Sequence, residues 1–247
     1  MKTFSTMLRV ELKLSLRGMD MFIFAICMPI VVAVILGIIY GDQPAFDGAE
    51  YTFLAQSFGA ISTIAIIAGG VMGLPLLVSD YRHKKILKRF RVTPVSPVMI
   101  LAVQLAIYAL YALVSLALVY LILALFWGYS MIGSWFSFLG SYFLVMLSMF
   151  SIGMMVGGIA PNQKIAGVIA SLLYFPMLIL SGATLPYEVM PAALQRVADL
   201  LPLTQGIHLL QATSLGLPIG SVLLPIAIMT ALAVICTGVA IRFFKWE

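Results

Sequence analysis

The sequence predicts an all-α membrane protein built on six transmembrane helices, and three observations carry that prediction. Hydrophobic residues fill 63% of the 247 positions and charged residues only 9%, against roughly 25% charged in ordinary soluble domains. Asp, Glu, Lys and Arg are absent between Asp20 and Asp42, Glu50 and Asp80, Arg91 and Lys164, Lys164 and Glu188, and Asp199 and Arg242. A helix crosses a bilayer in about 20 apolar residues, so each gap has room for a span. The gap from Arg91 to Lys164 holds two, because Phe126-Trp127-Gly128-Tyr129-Ser130 and Gly133-Ser134 interrupt it with turn and interfacial residues. Finally, runs such as IVVAVILGII and VSLALVYLILALF are apolar on every side. Barrel strands alternate apolar and polar residues over about 10 positions, so a β-barrel is disfavoured.

The six spans fall near residues 21–40, 53–78, 98–126, 135–160, 165–181 and 219–241 of a single transmembrane domain, 1–247, with no nucleotide-binding domain in the chain. Ahead of the first span, Arg9, Lys13 and Arg17 recur every four residues, and Lys2 projects onto the same helical face. Phe4, Met7, Leu8, Leu12 and Leu16 occupy much of the rest. A narrow cationic stripe beside a broad apolar face predicts an interfacial helix in the headgroup plane. Glu11 projects onto the apolar side and requires a partner that the sequence does not name. The first apolar segment is of span length and lacks an A-x-A-like site after it, so it is expected to remain as an anchor.

Lys and Arg concentrate in cytoplasmic loops. An N-terminus on the inner side places all of the 14 basic residues except Arg196 on that side, so both termini are expected to be cytoplasmic and the net charge of +5 reflects topology, not nucleic-acid binding. Cys27 and Cys236 fall inside spans with no metal-ligand spacing and read as small core residues. Gly69-x-x-x-Gly73 and Gly153-x-x-x-Gly157 permit close helix contact. Between spans five and six, PAALQRVADLL and PLTQGIHLLQATSL each open on a Pro, as a first helical turn allows. Both are too short to cross a bilayer and too apolar for a solvated loop, which predicts helices lying at, or dipping into, the outer leaflet.

Chemistry is limited by what the spans lack. A charge at mid-membrane costs about 2.5 to 3.5 kcal/mol on insertion scales, and no predicted span interior carries one, which weighs against a proton- or sodium-driven carrier. His83 and His208 are isolated, no HExxH occurs, and no Gly is followed by Lys, so the chain has no phosphate loop of its own. It is expected to be a transport component, with no catalytic, cofactor-binding or metal-binding residues. Any work it does draws on a partner.

Six of the 14 basic residues crowd into SDYRHKKILKRFRVTPVSP, residues 79–97. Ile86, Leu87 and Phe90 share one helical face there, and Lys84, Lys85, Lys88, Arg89 and Arg91 cover the rest. Pro94 and Pro97 end the helix. The segment suits either a basic loop against anionic lipid or a docking helix whose three apolar side chains seat in a cytoplasmic protein.

Three places in the chain resemble the ABC-2 family of ATP-binding-cassette transporter permeases, especially its drug and antibiotic exporter branch. ELKLSLRGMDMFIFAICMPI is similar to the family's leading helix and Pro-containing first span, here with Pro29. DYRHKKILKRFRVTPVSP resembles its acidic-basic segment ending in Leu-x-x-Thr-Pro-x-Ser. LSGATLPYEVMPAALQRVADLLPLTQGIHLLQ is similar to its Leu-Ser-Gly-x-x-x-Pro-x-x-x-x-Pro run and amphipathic tail.

That resemblance implies an ATPase-coupling helix within residues 80–92, formed by Asp80, Tyr81, Arg82, Lys84, Lys85, Ile86, Leu87, Lys88, Arg89, Phe90 and Arg91. It implies an outer gate shaped by Leu180, Ser181, Gly182, Pro186 and Pro191. A substrate route lined by spans two and five would offer Gln56, Ser57, Ser62 and Thr63, residues that equally suit interhelical hydrogen bonds. Two ATPase subunits carrying ATP and Mg, a second permease chain and a bacterial inner-membrane location are implied as well. The implied cargo is an amphipathic or apolar compound, with glycan export and an ATP-independent carrier or channel as rival readings. This chain departs from the pattern at His83 or Lys84, where many relatives carry Glu, and at Lys85-Ile86-Leu87, where they carry Gly-Thr-Leu. An acidic contact to the ATPase then rests on Asp80 or is missing, and the partner's surface is expected to be more acidic than usual.

Overall fold

The computed structural model describes residues 2–46, 48–85, 96–184, 187, 190–218 and 222–243. Among these the protein is helical, with six helices long and apolar enough to cross a membrane. Helix α1 (Lys2–Gly18) sets Phe4, Met7, Leu8 and Leu12 against the bundle, as the apolar face of its sequence requires. Met19, in the left-handed region at φ 59°, redirects the chain into a short turn, Asp20–Phe22, and the first span, α2 (Ile23–Tyr40). The first turn of α2 is widened, with the Met28 N–H reaching back five residues to the Ile23 carbonyl. Pro29 comes next and has no N–H to restore the ordinary ladder.

The second span, α3 (Phe53–His83), is the centre of the molecule: 78% of its apolar window is buried, against 39% for α2. The Thr52 hydroxyl caps it by accepting from the Ala55 N–H at 3.2 Å. Midway, at Ala68–Gly73, it widens again, and the Leu74 N–H bonds the Gly69 carbonyl just before Pro75. Helix α4 (Val98–Trp127) begins at Ser96, whose side chain accepts from the Met99 N–H at 3.2 Å. It stops at Gly128 in the left-handed region. Helices α5 (Trp135–Ile159) and α6 (Gln163–Leu180) come next, α6 capped by Asn162 accepting from the Ile165 N–H at 2.9 Å. The short helices α7 (Ala192–Ala198) and α8 (Pro202–Leu215) then precede the last span, α9 (Leu223–Phe243). Six long apolar helices are present, as expected, and α3 runs five residues beyond residue 78.

Glycine sets how closely the central helices approach. A Cβ on Gly153 would overlap the Gly70 carbonyl oxygen, and one on Gly157 would lie 2.8 Å from the Val78 Cβ. The widened turn of α3 therefore lies directly on α5, and the expected close contact is made within one chain. At the other end of α3, a Cβ on Gly59 would fall 2.9 Å from the Gln211 nitrogen, which marks how tightly α8 is drawn onto the bundle. Helix α8 is buried through Leu203, Thr204, Ile207, Leu209, Leu210 and Leu215, more than a surface helix would be. Polar side chains stitch the remaining contacts. The fully buried Tyr142 donates to the Ala112 carbonyl at 2.8 Å, and Ser148 donates to the Met229 carbonyl at 2.8 Å. Phe58 stacks on Phe138 at 5.3 Å.

Candidate functional site

Two ends of the bundle carry the polar residues of interest. At the first end, α3 emerges as Asp80-Tyr81-Arg82-His83. Asp80 and Lys84 pair at 2.9 Å, and Lys84 is 61% exposed, so this pair is worth little in stability. Lys85 adopts φ 54°, a left-handed conformation that closes the helix. Asp80 to His83 therefore belong to the end of span two, and the chain turns at Lys84 and Lys85; the expected single helix from residue 80 does not hold across that turn. Ile86, Leu87, Lys88, Arg89, Phe90 and Arg91 lie outside the described residues.

Arg82 points into the protein. Its Nη1 donates to the carbonyls of Gly157 at 3.1 Å, Gly158 at 2.6 Å and Ala160 at 3.1 Å. These are the terminal carbonyls of α5, which lack partners within their own helix and sit at the negative end of its dipole. A guanidinium is suited to the task because it carries several donors and a permanent charge. The residue thus fastens the start of the basic segment to the end of span four. Beside it, Gln104 donates from Nε2 to Glu11 Oε2 at 2.9 Å and to the Tyr81 hydroxyl at 3.2 Å. The missing partner of Glu11 is therefore Gln104, 4% exposed on α4, and the network joins α1, α3 and α4. Ser15 and Tyr111, 3.1 Å apart, add a second tie between α1 and α4.

At the opposite end, a cavity of about 40 Å³ is lined by Gln56, Ser57, Ala60, Ser181, Gly182, Tyr187, Ile207, His208 and Gln211. Of the residues expected on a substrate route, Gln56 and Ser57 reach it. Ser62 and Thr63 do not, since each is buried and donates to a carbonyl of its own helix, Phe58 at 2.7 Å and Ala60 at 2.7 Å. Of the expected gate, Ser181 and Gly182 line the cavity, Leu180 ends α6, Pro191 caps α7, and Pro186 lies outside the described residues. Gly182 takes φ 93°, a turn that only glycine enters without strain. Tyr187, His208 and Gln211 escaped the sequence reading as members of a site. His208 is expected from sequence to be a satisfied polar residue on a short helix, and its ring meets that of Tyr187 edge-on at 5.6 Å.

Six apolar helices around a glycine-tight centre, with charged groups confined to the two ends, define a multi-pass membrane protein. The chain belongs to the ABC-2 type transporter family, whose model matches residues 2–215. It is similar to nodulation protein J of Rhizobium leguminosarum bv. viciae, 40% identical over 83 residues, or 34% of this chain and 32% of that protein. Nodulation protein J of Neorhizobium galegae is 34% identical over 98 residues, covering 40% of this chain and 35% of the relative. The Rhizobium meliloti (strain 1021) protein of that name is 35% identical over 89 residues, 36% and 34% of the two chains. These matches span about a third of the curated relatives' length.

Proposed function

We propose that the chain is the membrane-spanning permease subunit of an ATP-driven exporter in a bacterial inner membrane, with both termini on the cytoplasmic side. Two copies of a separate ATPase couple to residues 80–91 of two permease chains, docking on the part beyond Arg82, and ATP binding and hydrolysis on those subunits drive an amphipathic or apolar cargo, such as a drug, antibiotic or lipid-like molecule, outward. One observation carries this reading: Arg82, at the root of the basic segment, is bonded to three carbonyls at the end of α5. A push on that segment is thereby delivered to spans two and four together. Family membership supports it. Export of a glycan or lipid-linked glycan is the second reading within the family. The polar cavity opposite Arg82 favours it, and the relatives' names specify nodulation without naming a cargo.

Phe90→Asp tests the docking segment. The variant is expected to insert normally and to lose at least about tenfold in ATPase retained on purification, since a carboxylate cannot enter an apolar socket without a partner. The readout is the amount of ATPase held by the tagged chain in mild detergent. If Lys84, Lys85 and Lys88 exchanged together for Gln abolish function while Phe90→Asp does nothing, the segment touches lipid and the docking assignment fails.

A further inference from the structure

The cavity at the far end from Arg82 has the composition of a binding site, and its residues come from three separate parts of the chain. Gln56, Ser57 and Ala60 come from α3, Ser181, Gly182 and Tyr187 from the connection after α6, and Ile207, His208 and Gln211 from α8. The close approach of α8 at Gly59 is what brings Gln211 and His208 against the α3 residues. None of the nine lining residues is Asp, Glu, Lys or Arg. Two amides and two hydroxyls supply both donors and acceptors, while Ala60 and Ile207 supply the apolar floor. Tyr187 contributes its ring, because its hydroxyl already donates to Asp199 at 2.8 Å.

Ser181 adds a second sign. It is 1% exposed, and its hydroxyl has no hydrogen-bond partner among the described residues; the same holds for Ser115 and Thr204, but of these three hydroxyls only that of Ser181 belongs to a residue lining the cavity. Leaving a hydroxyl buried and unpaired is costly, and here it lines a cavity large enough for about three water-sized groups. An ionised group would find no opposite charge among the nine lining residues to offset its lost hydration.

We propose that this cavity binds an uncharged, hydrogen-bonding head group, hydroxyl- or amide-bearing, with Ser181 as one of its direct contacts. The proposal rests on the export reading for its role, since it makes the cavity a contact for the polar end of the cargo. It does not need the ATPase in order to be tested.

The full chain, with Cys27→Ala and Cys236→Ala and a reporter at Ser57→Cys, is placed in nanodiscs of neutral lipid at about pH 8, above the ordinary histidine range. Labelling of the reporter by a small thiosulfonate is timed against octyl β-glucoside, octyltrimethylammonium and octyl phosphate, each below micelle formation. The neutral glucoside is expected to protect at roughly tenfold lower concentration than either charged homologue. Adding Ser181→Ala is expected to shrink that advantage about three- to tenfold without lowering the melting temperature, because only an unpaired hydroxyl is removed. Gln211→Cys serves as an independent reporter if Ser57→Cys disturbs the site. Protection by glucose alone means that the site reads solutes from water, and protection by the glucoside alone means that it reads membrane amphiphiles; either supports the site. Equal protection by all three amphiphiles, or a preference that Ser181→Ala leaves undiminished, overturns it. With no nucleotide present, a negative result leaves ATP-driven export standing, and failed export leaves a positive result standing.

Discussion

Gly153→Ala is expected to cost about 3 kcal/mol or more in stability, whereas Gly140→Ala in the same helix is expected to be neutral or slightly stabilising. The added methyl at position 153 meets the backbone carbonyl of Gly70 and, 3.1 Å away, the Leu74 Cβ. A carbonyl in a widened helical turn cannot swing aside as a flexible side chain can, so α3 and α5 must separate. Overpacking of a tight core costs about 1 to 3 kcal/mol and occasionally more, and here the contact is backbone on backbone. A Cβ on Gly140 meets nothing within 4 Å, leaving only the preference of about 1 kcal/mol for Ala over Gly inside a helix. Melting of the two variants in the same detergent, monitored by loss of the monodisperse peak, compares them directly. Equal melting temperatures would mean that the two helices do not touch through these glycines.

Arg82→Gln is expected to loosen the molecule and to separate ATP hydrolysis from transport. Removing the guanidinium strips a charged donor from the carbonyls of Gly157, Gly158 and Ala160. A hydrogen bond to a charged group contributes about 1.5 to 3 kcal/mol, and the end of the α5 dipole loses its counter-charge as well. Gln retains an N–H donor but no charge, and its shorter side chain cannot serve three acceptors. Arg82→Lys restores the charge without the planar fork, so it is expected to recover part of the stability and little of the coupling. In the assembled transporter, cargo moved per ATP hydrolysed is expected to fall about tenfold in Arg82→Gln, with ATPase binding retained. Loss of ATPase binding itself would place Arg82 at the docking surface and not at the link to span four.

Much of the fold was legible in the sequence because lipid leaves few alternatives: a backbone without water must bond itself, and charge-free stretches of span length become helices. The closing glycines at Gly69, Gly73, Gly153 and Gly157 were legible as contacts, although their partners were not. Tyr108 faces Gly69 and Gly73, while α3 itself faces Gly153 and Gly157. Glu11 announced a missing partner through its place on an apolar face, but Gln104 lies far along the chain and carried no signal beyond being an amide near the start of a span. Arg82 was legible as part of a basic cluster and not as a clamp, since charge density says nothing about where a single guanidinium points. Ser62 and Thr63 looked as suitable for a substrate route as Gln56 and Ser57. They differ only in which way each side chain turns, and short hydroxyls readily bond the preceding turn of their own helix. The cavity joins positions 56, 182 and 211, which only the packing of α8 brings together.

The central claim is that a bundle without charged residues in its interior spans takes its power from a separate nucleotide hydrolase seated on the basic segment. Its most direct test is uphill movement of a fluorescent amphiphile in proteoliposomes holding either the purified chain alone or the chain with the ATPase retained from native membranes. Accumulation is predicted only when both proteins and hydrolysable ATP are present. Accumulation against a gradient by the chain alone, in a preparation free of any nucleotide hydrolase, would contradict the account.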